Sequence, residues 1–148
     1  MTNTVSVLND LIETSKDGEQ GFLKAAEDTN DPKLKTLLAS RAQECANAAR
    51  ELQARVVELG GKPEDRGSVS GSIHRGWVDI KSALSSRDNH AILAECERGE
   101  DVAKKRYREA LDKELPADIR SLIELQFQGV LQNHDRIREL RDQYAAVR

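Results

Sequence analysis

The sequence predicts an all-α protein: one four-helix bundle with a single long connection between its second and third helices. Three observations carry this. Apolar residues recur every three or four positions through four long stretches, the repeat of one helix face. The composition suits long amphipathic helices, with 33% charged residues, 3% aromatics and only three prolines. The turn signals are unevenly spaced, close together after the first and third stretches and far apart after the second. At 148 residues the chain suits a single domain, residues 1–148, large enough to bury a real core.

The first helix is expected from about Val5 to Asp28, with Leu8, Ile12, Ser15, Glu19, Phe22 and Ala26 on one stripe. Asp31-Pro32 then supplies a start signal, an N-cap side chain followed by a proline in the first helical position. The second helix carries Leu34, Leu38, Arg41, Cys45, Ala48, Leu52, Val56 and Leu59 on its stripe, and Gly60-Gly61 with Pro63 stops it. From Gly61 to Arg87 the character changes. A polar, glycine-containing loop precedes a short helical piece with Ile73, Trp77, Ile80 and Leu84 on one face. Trp77 is expected to dock that piece onto the bundle, beside His74 and Arg75, which cap or pair locally. Asp88 is a fresh N-cap for a third helix from Asn89 to Leu111, and Leu115-Pro116 marks the turn into a fourth from Ala117 to the end. A connection as long as that after the second helix can cross the whole bundle, as in ferritin-like topologies, so the second and third helices should run parallel.

Several function classes are excluded on this reading. Net charge is −3 with both signs interspersed and no basic stripe, so nucleic acid is not an expected partner. Aromatics are too few for base-stacking platforms. No apolar run approaches membrane-span length. The start lacks a basic segment followed by an apolar one, so a cytoplasmic location is expected. Cys45 and Cys96 each lie on an apolar stripe and outside any Cys-x-x-Cys, as reduced core residues do. There is no His-Glu-x-x-His, phosphate-cradling glycine loop or nucleophile-His-acid order. A symmetric homodimer is the default assembly for such bundles.

The informative anomaly is polar. Glu19 interrupts the first stripe, His134 interrupts the fourth (Ile119, Ile123, Phe127, Val130, His134, Ile137, Leu140, Tyr144), and Glu97 and Glu100 flank the third. Ionised groups on buried faces are costly unless paired, hydrogen-bonded or metal-bound. With a full crossover, and at 1.5 Å rise per residue, Glu19, Glu44, Glu97 and His134 all lie roughly 12 to 18 Å from one end of the bundle. Carboxylate oxygen and imidazole nitrogen suit iron and manganese. The candidate metal set is therefore Glu19, Glu44, Glu97, Glu100 and His134, with Glu51 as a substitute on the second helix. Di-metal bundles use one Glu from each of two helices and Glu-x-x-His from each of the other two. This chain breaks both halves: Glu44 is followed by Asn47, and Leu131 precedes His134.

Several segments carry a resemblance: Leu8 to Glu19, Ile73-His-Arg-Gly-Trp77, Gly99-Glu-Asp101 and His134-Asp-Arg-Ile137. Together they resemble a bacterial ferritin-like four-helix-bundle family catalogued as domain of unknown function 2383. The resemblance spans nearly the whole chain and implies a ferritin-like fold; it brings no activity and no catalytic residue. Two readings of function follow. One is a bundle that binds iron or manganese in metal handling or stress response, with ferroxidase- or peroxidase-like chemistry within reach. The other is a metal-free bundle whose polar core sets topology and which acts as a structural or protein-interaction module.

Overall fold

The computed structural model describes residues 3–66 and 89–146. Among them lie four helices and no strand: α1 (Thr4–Asp28), α2 (Pro32–Glu58), α3 (Asn89–Leu111) and α4 (Ala117–Ala146). None is long and apolar enough to cross a membrane.

The helix ends form where local chemistry satisfies backbone groups that have no partner within the helix. Asn3 Oδ1 accepts from the Ser6 amide at the start of α1. Asp31 Oδ1 accepts from the amides of Lys33 (2.9 Å) and Leu34 (3.3 Å), and Pro32 opens α2. The other Asp31 oxygen accepts the Tyr144 hydroxyl from α4, so one carboxylate caps a helix and anchors its neighbour. Lys35 reaches back to donate to the Ala26 carbonyl at 2.6 Å, closing the end of α1. Gly60, at φ +79°, turns the chain out of α2 in a conformation that glycine adopts without strain.

The helices form a square. α1 packs on α2 and α3, and α4 packs on α3, while α2 and α4 meet only thinly; the backbones of α2 and α3 stay apart across a diagonal that only side chains bridge. Hydrogen bonds at the two ends give the directions. Asn9 bonds the backbone of Lys62 (3.2 Å) and Glu64 (2.9 Å), so α2 finishes beside the start of α1. Asn89 bonds Thr29 (2.6 Å) and Asn30 (3.2 Å), so α3 begins beside the end of α1. α2 and α3 consequently run parallel. Residues 67–88 lie outside the described residues, and with them the expected short helix and its His74, Arg75 and Trp77.

The core divides into two apolar clusters. One gathers Phe22, Ala25, Leu34, Leu38, Ile92, Leu93 and Ile137; the other gathers Leu8, Leu11, Ile12, Leu52, Val56, Tyr107, Ile119 and Ile123. Each fully buried large side chain contributes about 1.5–3 kcal/mol to folding. Between the clusters, at mid-height, lies a layer with buried Thr14, Ser15, Arg41, Glu100 and His134. Cys45 and Cys96 are both buried, but on the diagonal helices α2 and α3, beyond the Cα separation that a disulfide spans.

Candidate functional site

The polar layer begins with a glycine. The buried line along α1 runs through Ser15, Gly18 and Phe22. A Cβ on Gly18 would sit 3.0 Å from Cys45 Sγ, so the missing side chain is what lets α1 and α2 approach so closely. Glu19, one residue on and therefore about 100° around the helix, swings to the edge. Its side chain is 27% exposed and lies 3.9 Å from Lys16.

From α2, Arg41 enters the layer with its guanidinium 5.8 Å from the centroid of the Phe22 ring. Its Nε and Nη2 donate to Oε1 (3.2 Å) and Oε2 (3.3 Å) of Glu100 on α3, a two-pronged charge-assisted pair. Its third nitrogen, Nη1, is 3.9 Å from Glu44. Glu100 is 2% exposed. Burial pushes its carboxyl above the ordinary carboxylate range, while the guanidinium of Arg41, His134 and the Asn133 amide pull the other way. Burial likewise pushes the Cys45 thiol up to about 12, against the pull of the same guanidinium.

A second group forms between α3 and α4. His134, 3% exposed, places Nε2 2.7 Å from Asp101 Oδ1 and 3.6 Å from Glu97 Oε2, with Nδ1 3.4 Å from Asp135. Glu97 is itself held by Arg141 and by Arg138, the latter at 3.6 Å. The expected meeting of Glu97 and His134 at one level is present. The partners that satisfy them are arginines and an aspartate.

A cavity of about 220 Å³ opens along the thin seam between α2 and α4. Glu44, Glu51 and Glu100 line it together with Arg41; Glu19, Glu97 and His134 do not. The five expected ligands therefore divide among three places. Glu100 and Glu44 gather round Arg41, Glu97 and His134 form the second group, and Glu19 stands apart with Lys16. Glu44 is 61% exposed. Among the described residues no three His, Cys, Asp or Glu side chains are grouped to hold a metal ion. The donor chemistry explains this: both Glu100 oxygens serve one guanidinium, Glu97 serves two, and His134 Nε2 is taken by Asp101. The reason the single expected cavity does not form is also local, since Gly18 rather than Glu19 occupies the buried line and Arg41 fills the layer.

Arg41 is the residue of the polar layer whose role sequence reasoning misses. Its position on an apolar stripe was the available signal, a buried cation that needs a buried anion. The anion is Glu100 on α3. No curated protein matches the chain. A family model described as a domain of unknown function matches residues 3–113, most of the chain, and the protein belongs to that family, DUF2383.

Proposed function

We propose that this protein is a metal-free helical bundle acting as an interaction module, its central charges neutralised by its own arginines. The observation that carries this reading is the Arg41–Glu100 pair. A guanidinium fitted to both oxygens of a buried carboxylate supplies the positive charge that a metal ion would otherwise bring. The seam between α2 and α4 supports the interaction half of the reading. There the bundle is closed by little direct helix contact, and Leu125, 70% exposed, stands at the cavity rim.

The competing reading, an iron or manganese site in metal handling or stress response, draws on the group around His134. A metal there would have to break the 2.7 Å His134–Asp101 contact and pull Glu97 from Arg138 and Arg141. Thermal melts of chelator-treated protein with added Fe²⁺ or Mn²⁺ decide between them, because a ligand stabilises only the state that binds it. The expected melting temperature is unchanged by either ion. A rise that saturates with metal concentration overturns the metal-free reading.

A further inference from the structure

We infer that the α2–α4 cavity is a binding site for a small organic cation, an ammonium group carried on an apolar body. The inference deepens the interaction reading and rests on it in one respect, that Glu100 is already partnered by Arg41.

Size and wall chemistry come first. Cys45 and Ala48 of α2, Val102 and Ala103 of α3, and Leu125 and Val130 of α4 give the cavity largely apolar walls. An apolar cavity of roughly 150 Å³ accommodates a benzene ring, so about 220 Å³ holds one ring with a short chain or an alkyl chain of similar bulk. The space is genuine at the helix surface. A Cβ built on Gly129, which lines the cavity, meets nothing within 4 Å.

Charge decides what the ligand carries. One guanidinium, Arg41, faces three carboxylates, Glu44, Glu51 and Glu100, which leaves an excess of two negative charges. The Arg41 fork is spent on Glu100, and its remaining nitrogen reaches Glu44 only at 3.9 Å. Glu51 accepts a hydrogen bond from the Gln126 amide at 3.3 Å, and no cation lining the cavity is paired with it. Glu44 and Glu51 stand two helical turns apart on one side of α2, both exposed, while the cavity behind them has largely apolar walls around the Arg41–Glu100 pair. An ammonium at the mouth with its apolar part inside satisfies both halves. An anion of the same shape meets two carboxylates, and the one guanidinium in the cavity lining is already engaged by Glu100.

The test is calorimetric titration of the full chain with 2-phenylethylamine, with chelator present so that metal plays no part. The acid 3-phenylpropionate, which carries the same phenylethyl body, is run in parallel. The amine should saturate one site and bind at least tenfold more tightly than the acid. Gly129→Leu, whose Cβ meets open space, puts a side chain towards the cavity and should weaken the amine at least tenfold, with its helical circular dichroism retained. Glu44→Gln with Glu51→Gln should close the gap between amine and acid while leaving the cavity intact. Absence of saturation in the wild type, equal affinity for amine and acid, or full affinity in Gly129→Leu each overturns the site. A metal-dependent rise in melting temperature with amine binding intact would instead count against the metal-free reading alone.

Discussion

Replacing Arg41 by methionine removes the guanidinium but keeps most of the side-chain volume, and it leaves Glu100 buried without its counter-charge. The cost can be bounded from the structure. A carboxylate 2% exposed has no water to turn to, but it can always take up a proton. At pH 7 that proton is bound two and a half units above the ordinary value of 4.5, at about 1.36 kcal/mol per unit, which sets a ceiling of about 3.4 kcal/mol. The sign follows from linkage. The folded-state pKa of Glu100 lies above its unfolded value, and further above in the variant. The stability it contributes is therefore complete below 4.5 and is lost as pH rises through the folded value. Urea melts of Arg41→Met should thus show a deficit of up to about 3.4 kcal/mol at pH 7 that shrinks towards zero near pH 4.5. The double variant Arg41→Met with Glu100→Leu removes both charges and should recover the wild-type stability or exceed it by about 1–4 kcal/mol. A deficit under about 1 kcal/mol at pH 7 would refute the buried pair. So would a larger deficit that does not change with pH, because that would be lost packing rather than stranded charge.

The remaining predictions test the surroundings. Gly129→Ala, which meets open space inside α4, should stabilise by about 0.8–1 kcal/mol in denaturant melts. Gly18→Ala should fail to show that gain, because its Cβ lies 3.0 Å from Cys45 Sγ, and the shortfall should diminish in a Cys45→Ala background. The two thiols should be silent to an aromatic disulfide reagent at pH 8 in the folded protein and both react in denaturant, since burial pushes Cys45 up to about 12 and Cys96 higher still; rapid native-state release of one equivalent would contradict their placement. Asp31→Ala should cost about 1–2 kcal/mol by uncapping α2 and freeing the Tyr144 hydroxyl. The hydrogen bond from Tyr144 holds Asp31 below its ordinary value of 3.8, so this contribution is present above 3.8 and lost on acidification. That is the opposite sense to Glu100, and wild-type melts below pH 4 that show no such loss would contradict it.

How much of this was legible beforehand depends on which physical quantity is at stake. Helix identity and limits follow from local rules. Asp31-Pro32 marks the start of α2, Gly60 its end, and Asn89 to Leu111 the span of α3, because caps and the 3.6-residue repeat act within a few residues of one another. Most of the core was equally plain, Cys45 and Cys96 included, although Leu59, expected on the second stripe, is exposed, and Ala49 rather than Ala48 is buried. Height along the bundle was legible too, which is why Glu97 and His134, level on paper, lie 3.6 Å apart.

The angle around a helix was not legible to better than one residue. Ser15, Glu19, Phe22 and Ser15, Gly18, Phe22 are both acceptable stripes by spacing, and a glycine leaves no mark on a hydrophobic pattern. Only the packing of α2 against α1, with Cys45 pressed into the place of a missing Cβ, selects Gly18 and sends Glu19 to the edge. Partner choice lay equally out of reach. Arg41 could meet an acid from α1 or from α3, and the selection rests on which oxygens stand within about 3 Å of a rigid guanidinium fork once all the helices are in place. By itself, then, the sequence determined four helices, their ends, their apolar faces and the level at which charge enters the core. Tertiary structure alone decided that Arg41 and Glu100 neutralise each other there, because charge pairing depends on azimuth and reach between helices, which no single helix's periodicity contains.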